Sequence, residues 1–230
     1  MSIRIPWKER QKYSLFFNLL IVGLEIISFI IILITSHRIP VEYYTVDSNL
    51  LTLISCAIFI VFMIRGGEIP RWLKLFKYIS VTSLAITFII VIFILAPIYH
   101  FNYGYLLFHN ELLYQHLLCP IFCIATFLLF DNFSMDNILA KKPKLLLRSK
   151  TEQLKSGELA TSDEFYAISF TIIYGVVMVA LNITKAIDGP YPFLKIYEQS
   201  PLASIIWALI LFLSSYLIAT CLRRVRNIML

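Results

Sequence analysis

Six apolar runs separated by polar connections organise the chain, at roughly 14–35, 44–64, 76–98, 111–131, 165–183 and 203–222. A helix that crosses a ~30 Å hydrocarbon core needs about 20 mostly apolar residues, and each run meets that need. The pattern predicts an all-α, polytopic membrane protein, a single domain built as a six-transmembrane-helix bundle. No internal repeat and no low-complexity tract interrupts it. The first run follows a basic start but is too long for the apolar part of a signal peptide. No small-residue cleavage site follows it, so it is expected to remain as an anchor.

Composition agrees with the pattern. Hydrophobic residues make up 59% of the 230, charged residues 15%, and mean hydropathy is +0.80. Soluble domains run roughly 45–50% apolar and about 25% charged. The formal net charge of +6 would suit a nucleic-acid binder only if the basic residues gathered on one face. They lie instead between the apolar runs, so no nucleic-acid partner is expected and the charge reports topology. The N-terminal segment holds four basic residues (Arg4, Lys8, Arg10, Lys12), the second connection four (Arg65, Arg71, Lys74, Lys77), the fourth six (Lys141, Lys142, Lys144, Arg148, Lys150, Lys155) and the C-terminal segment three (Arg223, Arg224, Arg226). The first connection holds only Arg38, the third none, and the fifth Lys185 and Lys195. This asymmetry predicts that both termini are cytoplasmic. The fourth connection, the longest, reads as a solvated loop whose Lys/Leu-rich start can also lie on anionic lipid. Cys56, Cys119, Cys123 and Cys221 all fall in apolar runs and read as small buried hydrophobes.

Polar residues inside the runs are few. An ionisable side chain in hydrocarbon is costly and marks a functional site or a buried pair. Glu25 lies at the middle of the first span, on one face with Asn18 and Ser28; it is expected in the bundle interior beside a hydroxyl or amide. A transporter centred on Glu25 is one reading, weakened by the lack of repeats or Gly/Pro-broken spans. On the second span Thr45, Ser48, Asn49, Thr52 and Cys56 share a helix face; on the fourth, His116, Cys119, Cys123 and Thr126 do the same. Small polar residues at such spacings also serve as contacts between helices, which supports a non-catalytic binding or scaffold reading. The two spans run in one direction, and Thr45 and His116 differ in depth by only about 5–6 Å at 1.5 Å per residue. A hydroxyl beside an imidazole is the minimum equipment for nucleophilic acyl transfer. Pro120, in the fourth span, is expected to kink it and leave a carbonyl that fixes the His116 tautomer. No zinc spacing and no glycine-rich phosphate loop occurs, so neither metal nor cofactor is expected.

At these residues the chain resembles a known group. Tyr43-Tyr44-Thr45-Val46-Asp47-Ser48-Asn49-Leu50-Leu51 is similar to the Tyr-Phe-Thr-x-x-Ser-Asn-Leu signature of short bacterial six-helix membrane proteins. His116-Leu117-Leu118-Cys119-Pro120, closing with Phe130-Asp131, resembles their His-x-x-x-Pro segment, and Gly189-Pro190-Tyr191-Pro192-Phe193 also fits. These proteins are similar to the animal androgen-induced and androgen-dependent TFPI-regulating (ADTRP-like) membrane proteins. The resemblance implies an intramembrane hydrolase of long-chain fatty acid esters in a bacterial plasma membrane, with membrane lipids as partners. It implies Thr45 as nucleophile and His116 as base. Asn49 is then expected to donate to the oxyanion, with Ser48 and Asp47 positioning substrate. Asp47 stands where the bacterial relatives more often carry an amide.

Overall fold

The computed structural model describes residues 7–66, 69–131 and 159–229. They are helical, and no strand occurs among the described residues. Helix α1 spans Trp7–Ser36, α2 Tyr44–Ile64 and α3 Arg71–Ile90. A π-helical turn, Val91–Leu95, and a last turn, Ala96–Ile98, prolong α3. The short α4, Tyr103–Phe108, begins at Asn102, whose side chain accepts from the Tyr105 N–H at 3.1 Å. A second π-helical turn, Leu113–Leu118, leads into α5, Cys119–Leu129; α6 spans Asp163–Ile183 and α7 Pro201–Met229.

Among the described residues five helices are long and apolar enough to cross a membrane: α1, α2, α3 with its extension, α6 and α7. The fourth apolar run is shorter than the sequence suggests. It is helical over Leu113–Leu129, short of the roughly 20 residues a perpendicular crossing takes. The basic residues of the fourth connection lie outside the described residues, and that connection ends sooner than Glu164, because α6 already begins at Asp163.

The bundle is apolar on its outside and carries, within a partly apolar core, an unusual number of buried polar residues. Ile26, Ile30, Ile34, Leu202, Leu209 and Leu213 face outward, whereas Ser14, Asn18, Glu25, Thr52, Ser55 and Ser83 are buried. Helix α3 is central: 61% of its apolar window is buried, and no other crossing helix exceeds 39%. It packs against α2, α5, α6 and α7. Hydroxyl pairs join α2 to α3, Ser48 to Thr87 at 2.9 Å and Ser55 to Ser80 at 2.8 Å, each worth about 0.6 kcal/mol in lipid. Much of the polar stripe on α2 therefore holds helices together.

Two basic residues, one that the sequence places in a connection and one in the C-terminal segment, are buried in the bundle. Lys77, on α3, donates to Asn18 Oδ1 at 2.6 Å and Cys56 Sγ at 2.7 Å, and its Nζ lies 3.7 Å from Asp131 Oδ2. Asp131 Oδ1 accepts from Ser14 Oγ at 2.5 Å and Asn18 Nδ2 at 2.9 Å. Arg226, on α7, donates to the Asp131 carbonyl at 2.9 Å and stacks over Phe127 at 4.4 Å. The starts of α1 and α3 thus meet the ends of α5 and α7 at one end of the bundle. The Arg71–Asp163 and Arg223–Glu164 pairs, at 2.7 and 2.6 Å, place the start of α6 there too. Cys56, Cys119 and Cys123 are buried as expected, but Cys221 is exposed on the outer face of α7.

Candidate functional site

Helix α2 starts without a side-chain cap, so its first amides need other acceptors. The Val46 and Asp47 N–H groups turn back to the Tyr43 carbonyl at 3.0 and 3.2 Å. The Thr45 N–H instead donates to the Tyr191 hydroxyl at 3.3 Å, and Thr45 Oγ1 lies 3.4 Å from the same oxygen. Burial pushes the Tyr191 phenol up to about 12, and its bond with Thr45 pulls the other way. It therefore remains a protonated donor at physiological pH. Tyr191 stacks on Phe193, centroids 5.1 Å apart, and Phe193 meets Trp207 at 5.7 Å.

This turn depends on Gly189. A Cβ there would lie 2.5 Å from the Leu194 carbonyl carbon and 2.6 Å from its oxygen. We expect Gly189→Ala to displace the turn that carries Tyr191 and to destabilise the protein by about 1–3 kcal/mol, as overpacking does. Thermal unfolding in detergent checks this, with Gly23→Ala, where a Cβ meets nothing within 4 Å, as the comparison.

The remaining α2 residues converge on the Thr45 carbonyl. It accepts from Ser48 Oγ at 3.0 Å and from Asn49 Nδ2 at 2.7 Å. The second Asn49 amide hydrogen reaches the Gln115 carbonyl at 3.4 Å. Both hydrogens of Asn49 are thus engaged with backbone, and the oxyanion-donor role expected of it has no hydrogen left to serve it. Asn49 ties α2 to the π-helical turn that carries His116. Gln115 Nε2, buried beside His116, has no partner. Asp47, two residues past Thr45 and so on the far side of the helix, is only partly buried.

His116 is buried, and its Nδ1 lies 2.7 Å from the Leu106 carbonyl of α4. A carbonyl only accepts, so Nδ1 carries the proton, and when the ring is neutral Nε2 presents a lone pair. The orienting carbonyl comes from α4, not from a kink at Pro120, which occupies the first turn of α5 directly after the π-helical turn. Thr45 and His116 do not bond to each other: one faces Tyr191, the other Leu106. Periodicity within the spans carries no trace of Tyr191, Leu106 or Gln115 as partners. Only the Gly189–Phe193 motif hinted at the first.

A cavity of about 570 Å³ lies among α2, α3, α6, α7 and the turn at Tyr191, with Thr45 on its wall and His116 off it. Its walls are apolar, formed by residues such as Ile86, Leu95, Val179 and Leu211; Thr45, Thr87 and Tyr191 supply hydroxyls. Glu25 lies apart. It is buried against the Cys119 thiol, near Cys56. The hydroxyl or amide expected beside it is thus replaced by thiols. Among the described residues no group of His, Cys, Asp and Glu is arranged to hold a metal ion. Set against known proteins, the chain matches no family model, no curated protein and no solved structure.

Proposed function

We propose that this protein is an intramembrane lipid-ester hydrolase in which Thr45 is the nucleophile and His116 the general base. One observation carries the reading. Thr45 lines an apolar cavity while a buried histidine, its ring oriented by a carbonyl, is tied to the same helix through Asn49. At 3.4 Å the Thr45–Tyr191 contact is loose, so rotation about one side-chain bond frees the hydroxyl. His116 Nε2 then takes its proton as Oγ1 attacks the ester carbonyl. The Tyr191 hydroxyl, which faces Thr45, is the donor available to the oxyanion. His116 returns the proton to the leaving alcohol, and water cleaves the acyl-threonine by the same route. Turnover of long-chain esters by the purified protein, with labelling by a probe for serine and threonine hydrolases, tests the assignment.

The proposal includes six crossings, with Leu113–Leu129 as the fourth, and both chain ends in the cytoplasm of a plasma membrane. Alternating helix directions and the basic residues gathered at one end support it. A cysteine introduced at Asn110 is expected to react with an impermeant maleimide from outside. One at Arg65 is expected to react only after permeabilisation. The reverse pattern overturns the orientation.

A second reading, lipid binding without turnover, is favoured by the separate partners of Thr45 and His116. It expects no ester hydrolysis by folded protein.

A further inference from the structure

The cavity beneath Thr45 has a mouth, and the mouth does not face water. On α6, Ile172 and Val176 line the cavity and are 41% and 65% exposed, more than an enclosed wall would leave them. On α7, Phe212 does both as well, at 42% exposure. A side chain that borders an interior space and the outside at once marks an opening, so the wall is breached between α6 and α7. Both are helices apolar enough to cross a membrane. The opening therefore meets acyl chains. At the loop end, the stacked rings of Tyr191 and Phe193 cover the cavity.

Gly175 sits in this slot. Ile172, Gly175, Val176 and Val179 follow one another at three, four and seven residues, one face of α6, and all four line the cavity. A Cβ at Gly175 meets nothing within 4 Å. The lack of a side chain there is not a packing need; it leaves the slot open. None of the lining residues carries a charge, so nothing inside would receive an ionic headgroup. The volume lies within the roughly 300–1,000 Å³ of small-ligand pockets, room for one chain and not for a whole phospholipid.

We propose that a single acyl chain of a membrane lipid enters this cavity sideways, through the slot between α6 and α7 that Gly175 keeps open. The inference rests on the hydrolase reading only in placing the ester carbonyl of that lipid at Thr45. The substrate class is then a lipid ester whose acyl chain is held in the cavity while its polar remainder stays outside.

The test uses a palmitic acid carrying a mid-chain diazirine and, separately, the p-nitrophenyl esters of palmitate and acetate, all on the full chain in detergent. Illumination is expected to cross-link the fatty acid to peptides of α6 and α7. Gly175→Phe, which fills the slot, is expected to lower that labelling about tenfold or more, and the palmitate-to-acetate rate ratio with it. Ala208→Phe narrows the same cavity from α7 and provides a second, independent plug should the first variant fold poorly. Ile173→Phe, on the lipid-facing side of α6 and off the cavity, is expected to behave as the parent protein. Unchanged labelling and an unchanged rate ratio in a folded plugged variant overturn the proposal. Loss of labelling in the plugged variants, with no ester hydrolysed by the parent protein, upholds the chain site and removes the hydrolase reading. Retained palmitate selectivity in them does the opposite.

Discussion

Replacing either Thr45 or His116 by alanine is expected to lower ester turnover on the order of 10⁴-fold or more, with the double variant hardly worse than either single one. A nucleophile without its base, or a base without its nucleophile, performs no step of acyl transfer, so the two losses overlap. Thr45→Ser keeps part of the activity, because the hydroxyl survives while the methyl that restricts its rotamer is gone. Tyr191→Phe separates positioning from chemistry. The ring still stacks on Phe193, but the hydroxyl that faces Thr45 is lost, and turnover should fall about 10²–10³-fold, as for one oxyanion donor. Asn49→Ala should act differently, through the link to Gln115, and cost stability together with rate. Kinetics on a panel of long-chain esters, measured beside thermal unfolding, reads all of these. A double variant worse by the product of the two single losses would show independent roles and sink the shared mechanism. A parent protein that turns over no ester, with each variant weaker by only about 1–3 kcal/mol for an orphaned polar group, would leave the lipid-binding reading.

The second large effect is on stability. Lys77→Ala is expected to destabilise the protein by about 3–5 kcal/mol, the cost of leaving one member of a buried ion pair alone. Lys77 and Asp131 side chains are only 2% and 1% exposed. The ammonium is held by Asn18 and Cys56, and the carboxylate by Ser14 and Asn18. Arg226, the other buried cation nearby, bonds the Asp131 backbone carbonyl. Exchanging both partners for apolar residues, Lys77→Met with Asp131→Leu, should recover most of the loss, since no uncompensated charge remains. Denaturant unfolding in mixed micelles checks both. A single variant that loses less than about 1 kcal/mol would mean that water already reaches the pair, as it does at exposed ion pairs.

The sequence carries the helices better than their partners. The second run, 44–64, coincides with α2, Tyr44–Ile64, and the fifth, 165–183, starts two residues later than α6. Hydropathy locates these edges because lipid imposes length directly. It fails where polar residues extend a helix past its apolar run. Thus α1 begins at Trp7 and α7 continues to Met229, both into basic segments that read as tails. Lys77 was legible only as a topology signal, since its burial depends on Asn18 and Asp131, far away in the chain. The same holds at the candidate site. Thr45 and His116 stand out as polar residues in apolar runs, but what each one faces comes from elsewhere. The Leu106 carbonyl belongs to a short helix inside a connection, and the Tyr191 hydroxyl to a turn between spans. No periodicity within a span encodes such contacts.

The Lys77–Asp131 pair also sets an order on biogenesis. During synthesis Lys77 enters the membrane when Asn18 and Cys56 have already been made, but Asp131 arrives only with the end of α5. Until then the first three helices hold this ammonium without the carboxylate it pairs with in the finished bundle, which is costly in hydrocarbon. They are therefore an unfinished intermediate, kept near the membrane surface or in contact with the insertion machinery until α5 docks. A chain broken off before Asp131 would expose that cation permanently, and such fragments are the kind that membrane quality control removes. The bundle is thus electrostatically complete only once its fourth apolar run has been added.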